Sequence, residues 1–169
     1  SGRTLTLGST SSQTLSGLTL GGAGTLLNQG ALTLNNATLS GNFENRGALV
    51  IGGGGTTQVD GATLTLRSGS VNLGAGSTLA KNTGVLNWNG GTLAGAGTLS
   101  SIGGATFALP GGSARILNGP TLAANDLNLA GGSLTVQAGT LSAAGTSTVS
   151  SGTLLDVTGC AFNAAGGTV

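Results

Sequence analysis

The residues best suited to catalysis are the four carboxylates, Glu44, Asp60, Asp126 and Asp156. Glu44 and Asp60 are 16 positions apart, a spacing that could stack them on adjacent coils of a repeat structure with Arg46 close by. Paired carboxylates are the acid and base of glycosidases, and clustered ones can hold a metal for lyase chemistry. A solvated charge, or an ion pair across coils with Arg46, is the simpler interpretation of the same residues.

Other catalytic arrangements are missing from the sequence. The chain has no histidine, which excludes Ser-His-Asp and Cys-His catalysis. The four glycines 52–55 are not followed by Lys-Ser/Thr or by a predicted helix, so we interpret them as a corner and not as a phosphate-binding loop. We expect Cys160 to be a small buried apolar residue and Trp88 to pack in the core or against one end. No catalytic, cofactor-binding or metal-binding residues are assigned, and we expect no enzymatic activity.

The composition points to a folded but unusual chain. Its 169 residues include 35 glycines, and 38% are hydrophobic while only 5% are charged. Disordered chains are typically polar, charged and poor in aliphatic residues, so we expect a fold. No apolar run approaches the roughly 18 residues of a membrane helix. We therefore expect no membrane span. The charged residues, whose net charge is +1, are scattered along the chain and form no basic stripe with aromatic residues, so we do not expect nucleic-acid binding.

Short strands must position these residues. Apolar residues alternate with polar ones in units such as Leu32-Thr-Leu34 and Leu64-Thr-Leu66, which is the pattern of half-buried strands. The phrase Asn28–Leu34 returns almost unchanged as Asn45–Ile51, 17 positions later. Similar units advance by 14 residues from Leu18 to Leu32 and by 15 from Leu49 to Leu64. Such repetition is typical of stacked coils and predicts a single right-handed parallel β-helix of roughly eight or nine coils over residues 1–169.

The repeat also predicts positions within each coil. Asn28 over Asn45 and Gly30 over Gly47 are expected to form corner columns. The inward residues are expected to share one core in stacked pairs: Leu32, Leu34, Leu49, Ile51, Leu64 and Leu66. Pro110 and Pro120 flank the segment where the repeat is weakest, which predicts a loop or bulge there because proline cannot donate to a strand ladder.

The segments GALTLNNATLSGNFENRGAL and GGSLTVQAGTLSAAGTSTV resemble the stalk repeats of filamentous-haemagglutinin-like adhesins and autotransporter passenger domains. The resemblance implies a right-handed β-helix exported to the bacterial surface or beyond it, where it acts as an extended scaffold in adhesion, biofilm or fibre formation. We therefore expect an extracellular structural shaft without catalytic activity. A host or matrix receptor is possible, but the sequence identifies none.

Two further expectations follow from the solenoid. The sequences at both ends look like interior coil material, which predicts end-to-end association or continuation of the same coils in a longer rod.

The alternative functions are ice binding and a carbohydrate-active β-helix enzyme. Ice binding would need Thr-x-Thr at the same place on every coil, whereas this pattern occurs only at residues 4–6, 63–65 and 146–148.

Overall fold

The chain folds as a β-solenoid of about seven turns, in a computed structural model that describes residues 2–101, 103–150, 153–157 and 160–164. All the paired strands of this part of the chain are parallel, and it contains no helix. The strands form three faces, here called A, B and C, which each coil visits in that order. The predicted parallel solenoid is therefore confirmed, but it has about seven turns where eight or nine coils were predicted; in the described residues eight strands stack on face A.

Faces A and B hold most of the strands. Face A contains β1 (Thr4–Leu7), β4 (Thr25–Asn28), β7 (Asn42–Asn45), β10 (Thr63–Leu66), β13 (Val85–Trp88), β16 (Thr106–Leu109), β18 (Leu127–Leu129) and β20 (Ser147–Val149). Face B contains β2 (Ser12–Ser16), β5 (Ala31–Asn35), β8 (Ala48–Gly52), β11 (Ser70–Leu73), β14 (Gly91–Gly95) and β21 (Leu154–Val157).

Face C contains β3 (Thr19–Leu20), β6 (Thr38–Leu39), β9 (Thr56–Val59), β12 (Thr78–Ala80), β15 (Thr98–Ser101) and β22 (Ala161–Ala164). Two long strands, β17 (Arg115–Ala124) and β19 (Ser133–Ala143), run through both face B and face C. They join the two faces into one continuous sheet.

The period-two pattern buries one side of each strand. Leu32 pairs in register with Leu49, and Leu34 with Ile51, as the 17-residue repeat predicts. All six residues predicted for the core are buried within one apolar cluster. Asn28 likewise pairs with Asn45, which confirms that column.

The 15-residue spacing from Leu49 to Leu64 does not separate two stacked residues, although the sequence analysis expected it to. Leu64 and Leu66 pair with Phe43 and Asn45 on face A, and not with Leu49 and Ile51 on face B. The 15-residue step from Leu49 to Leu64 therefore runs around the coil from face B to the next face A. The alternating apolar pattern occurs on all three faces. It therefore does not show whether two similar units lie on different faces or on the same face of successive coils.

Glycine is required where coils meet at the corner between faces A and B. A Cβ on Gly47 would collide with the carbonyl oxygen of Gly30, directly below it in the stack. At another corner, Gly53 and Gly54 have φ angles of 81° and 64°, a left-handed conformation that strains other residues. The glycine run 52–55 is thus a corner, as predicted.

The segment between the two prolines departs from the regular coil, as predicted. Residues 110–114 form a bent loop, and β17 begins immediately after it. The pairing of β17 with β19 shifts register on both sides of Asn118, close to Pro120. A loop and an irregular strand therefore occupy the segment.

Candidate functional site

Glu44 and Asp60 do not stack on adjacent coils. Glu44 lies on β7, where its neighbours in register are Leu27 and Thr65. Asp60 directly follows β9 at the end of a face C strand, where it accepts a hydrogen bond from Gln58. A separation of 16 residues is shorter than any complete coil of this solenoid, so it moves the chain from one face to another.

Glu44 does form an ion pair with Arg46, as the simpler interpretation predicts. The two residues lie in the same coil, however, and not on adjacent coils. Arg46 Nε donates to Glu44 Oε1 at 2.6 Å within a single coil. The partner from the next coil is Arg67, whose nearest terminal nitrogen lies 3.8 Å from the same oxygen. One carboxylate is therefore shared by two guanidinium groups.

These two arginines line an open groove of about 430 Å³ at the corner between faces A and B. The arginine side chains are 43% and 55% exposed, compared with 23% for Glu44. The remaining lining residues are polar or small: Ser68, Asn89, Gly111, Gly112 and Ser113. We call this surface the corner groove. Its position follows from the stacking, because Arg46, Arg67 and Asn89 each donate a backbone N–H to the coil below, directly after a face A strand.

A buried arginine supports one wall of the corner groove. Arg115 is fully buried, and its guanidinium donates to the carbonyl oxygens of Pro110, Trp88 and Gly131, the last at 3.0 Å. Burial lowers the pKa of Arg115 below its ordinary value. The three acceptors belong to three neighbouring coils, so this side chain fixes the loop 110–114 against the stack.

A second buried cation, Lys81, lies at the end of face C. Its Nζ donates to the carbonyl oxygens of Gly61 and Thr83. Burial lowers the pKa of Lys81, and the charge of Asp60 offsets part of that shift. Lys81 and Arg115 thus both point inward and satisfy backbone acceptors.

The two residues with uncertain roles have clear positions. Trp88 is 1% exposed within the apolar cluster, as predicted, and its Nε1 donates to the carbonyl oxygen of Gly90 at 3.1 Å. Cys160 is only partly buried, and its Sγ lies 3.0 Å from the carbonyl oxygen of Val136. Cys160 packs against the edge of the core, whereas we expected it to be buried.

Face C carries an outward column of threonines that the sequence analysis did not find. Five threonines occupy the same register position on five successive coils: Thr56, Thr78, Thr98, Thr121 and Thr140. We call them the threonine column. Each is at least partly exposed, and the structure shows no hydrogen bond from any of their hydroxyl groups to another described residue.

The outward positions beside the threonine column hold neutral or small residues. The neighbouring outward positions hold Gln58, Ala80, Ser100, Ala123 and Ser142, in register. Ala80 and Ser100 are only 6% and 7% exposed. The face C strands from β9 to β15 contain no charged residue.

The column was missed because its spacing in sequence is not constant. Successive members are 22, 20, 23 and 19 residues apart (56 to 78, 98, 121 and 140). A search for Thr-x-Thr within one strand overlooks single threonines that recur once in each coil. The phrase Thr-Leu after a small residue, as in Gly97-Thr98-Leu99, does not single them out, because it also occurs on faces A and B, at Gly24-Thr25-Leu26 and Gly91-Thr92-Leu93.

Comparisons with protein-family models, with curated proteins and with solved structures find no significant match for this chain. In the part of the chain that the structure describes, no helix is long and apolar enough to cross a membrane. Within the same residues, no group of three or more Cys, Asp or Glu side chains is placed to hold a metal ion.

Proposed function

We propose that this chain is the non-catalytic structural shaft of an extracellular bacterial surface adhesin or filament. The observation that carries the proposal is the unbroken stack of parallel strands on three faces around one apolar core. Each coil rises by about 4.8 Å and hydrogen-bonds to the coils before and after it. Load along the rod is therefore shared by many backbone hydrogen bonds, which suits a spacer that holds a binding tip away from a cell.

The surface of the solenoid agrees with this role. Two of the five basic residues, Lys81 and Arg115, are buried, so the outer walls carry even less charge than the composition indicates. The repeat segments resemble adhesin stalks and autotransporter passenger domains, and this resemblance supports a location outside the cell or on its surface. Receptors would then be bound by other parts of such an assembly or by surfaces of the shaft.

The shaft extends by adding coils to its ends, from the same chain or from a second copy. Leu5 on β1 is 58% exposed, although its counterparts Leu26 and Phe43 on the next two coils are 7% and 0% exposed. An apolar cavity of about 150 Å³ beside it is lined in part by Leu20 and Leu39. A further coil stacked on β1 would cover Leu5 and extend the ladder of face A.

Single-molecule pulling of the purified chain tests the shaft directly. A shaft should resist extension and then unfold in steps that correspond to one or more coils, because each coil is held mainly by its neighbours. A chain that extends at low force without steps would contradict the proposal. Electron microscopy of the same sample should show rods.

A second candidate function, ice binding, is favoured by the threonine column. Regularly spaced hydroxyl and methyl groups on a flat, uncharged face can hold an ordered layer of water. The column places one outward threonine on each of five successive coils, although the second outward position of these strands is not threonine. In this case the stack would serve to keep the threonines in register.

Thermal hysteresis decides between the two candidate functions. If ice binding is the function, the chain at micromolar concentration lowers the freezing point relative to the melting point, and Thr98→Lys abolishes the effect. Thr33→Lys places the same charge at an outward position on face B and should leave hysteresis unchanged. No hysteresis, or equal loss in both variants, rejects ice binding and leaves the shaft.

A further inference from the structure

We propose that the corner groove binds an acidic polysaccharide, through a carboxylate or sulfate group held between Arg46 and Arg67. This binding function goes beyond that of a purely structural shaft, because the side of the rod would itself bind a ligand. The proposal rests on the geometry of the two guanidinium groups, on the polar lining of the groove, and on the direction in which the groove runs.

The arginines retain unused hydrogen-bonding capacity. Arg46 contacts Glu44 through Nε, and Arg67 comes no closer than 3.8 Å to that carboxylate. The structure shows no hydrogen bond from the terminal nitrogens of either side chain to another described residue. Two guanidinium groups and one carboxylate leave a net charge of +1 in the groove. Guanidinium groups favour bidentate contacts with oxyanions, so an added carboxylate or sulfate completes the cluster.

The lining of the groove also suits the hydroxyl groups of a sugar. Asn89 Oδ1 is buried and has no hydrogen-bond partner within the described residues. That atom is enclosed, but Asn89 as a whole is partly exposed and lines the groove as a neutral polar residue. Ser68 and Ser113 add hydroxyl groups along the same wall. The groove therefore combines the cationic arginine donors with neutral polar side chains.

The groove follows the axis of the stack. Arg46, Arg67 and Asn89 occupy equivalent positions on three successive coils, each about 4.8 Å above the last. This rise is similar to the advance of one residue in an extended glycan, so consecutive sugars can meet consecutive coils. The loop 110–114, fixed by Arg115, closes the far end. A volume of about 430 Å³ accommodates a short oligosaccharide.

Nucleic acid shares the anionic chemistry but fits the site less well. Single strands are usually held by aromatic residues on which the bases stack. The residues that line the groove include no aromatic side chain, and the neighbouring Trp88 is buried. A flexible polyphosphate is therefore a suitable competitor for testing whether charge alone explains binding.

Binding can be measured with fluorescently labelled oligogalacturonate as the carboxylate probe and a sulfated oligosaccharide of equal length as the sulfate probe. A neutral oligomer of galactose and a polyphosphate serve as comparisons. We expect saturable binding of at least one acidic oligosaccharide, weakened by salt, and much weaker binding of the other two. The stronger of the two acidic probes identifies the anionic group. Failure of both to bind, or equal binding of polyphosphate, overturns the proposal.

Three variants make the test specific. Arg67→Gln should weaken binding about tenfold, the loss expected for one charge-assisted hydrogen bond. Arg3→Gln removes the same charge at the first coil, outside the groove, and should leave the affinity unchanged. Glu44→Gln removes the competing carboxylate and should strengthen binding. Equal effects of the two arginine substitutions, or weaker binding in Glu44→Gln, would reject the site.

Discussion

Asn28 donates a hydrogen bond from Nδ2 to Oδ1 of Asn45, 2.7 Å away on the next coil, and both side chains are fully buried. Asn45 Nδ2 in turn donates to the carbonyl oxygen of Gly47 at 3.0 Å. The same inward column holds Leu7 below this pair and Leu66 above it. Two polar residues thus interrupt an apolar column, and they satisfy each other and the backbone of the adjoining corner.

We expect this pair to be energetically coupled. Asn45→Leu should destabilise the fold by about 1–3 kcal/mol, because it removes one of the acceptors of Asn28 Nδ2 and the side-chain donor to the Gly47 carbonyl, although Asn28 keeps its bonds to Ala48 and Gly30. Replacing both asparagines with leucine extends the apolar column and should cost less than the sum of the two single changes. Urea unfolding of all four proteins of the cycle measures the coupling. Additive effects would show that the hydrogen bond contributes little.

Leu49 and Val50 are adjacent but lie on opposite sides of β8, which provides a matched test of the core. Leu49 is 1% exposed and Val50 is 39% exposed. Leu49→Asp should destabilise the protein by about 4 kcal/mol or more, since it buries an unpaired charge. Val50→Asp should cost no more than about 1 kcal/mol. Similar unfolding midpoints for the two variants would contradict the assigned orientation of the strand.

The core and the fold were predictable from the sequence because they depend on local alternation. Leu32, Leu34, Leu49 and Ile51 are buried in the expected stacked pairs because a strand with one buried side must repeat its apolar residues every second position. A repeated phrase additionally fixes the register of two coils. Neither signal specifies which face a unit belongs to, which is why Leu64 was placed in the wrong column.

The candidate sites were harder to predict because they depend on distances across coils of unequal length. Arg67 approaches Glu44 from the next coil, 23 positions away (44 to 67), and no local pattern marks this contact. The cationic groups of Arg115 and Lys81 are buried against backbone carbonyl oxygens, which accept their hydrogen bonds. Every residue has such a carbonyl group, so the sequence does not reveal where these acceptors come together. The threonine column depends in the same way on the register of five coils.

Arg115 should be essential to the loop 110–114. Arg115→Met removes the donors to the carbonyl oxygens of Pro110, Trp88 and Gly131, and we expect a loss of about 3 kcal/mol in the free energy of unfolding. Hydrogen exchange should accelerate at the amides of the loop before those of faces B and C. The exposed Arg67→Met should change stability by less than about 1 kcal/mol. Unchanged loop exchange in Arg115→Met would show that the loop is held in another way.

Lys81 should make the protein more stable at alkaline pH. Its pKa is lowered in the folded state from the ordinary value of 10.5, mainly by burial. Between the folded pKa and 10.5 the unfolded chain binds more protons, so the free energy of unfolding rises with pH in that window. Below the folded pKa the lysine is charged in both states, and the full cost of burying the charge applies. Denaturant unfolding from about pH 8 to pH 10.5 measures this rise.

Lys81→Met provides the control for that pH dependence. It removes the titrating group, so the rise in stability should disappear even though the carbonyl oxygens of Gly61 and Thr83 lose their donor. The quantity to compare is the slope of the free energy of unfolding against pH. The absolute free energy of unfolding is not suitable, because this substitution lowers it as well. An identical slope in both proteins would assign the effect to another group.

The exposed first coil should mediate self-association. Leu5 is 58% exposed where the equivalent leucine of the next coil, Leu26, is 7% exposed, so a further coil added at β1 would bury about the same apolar surface as the existing ones. Among the described residues β1 pairs only with β4, so this coil would also give β1 a second parallel neighbour. We therefore expect analytical ultracentrifugation at tens of micromolar to show oligomers that grow with concentration. Leu5→Lys should shift them to monomer, whereas Val50→Lys on the wall of face B should not. A monodisperse monomer in all three proteins would reject end-to-end association through this coil.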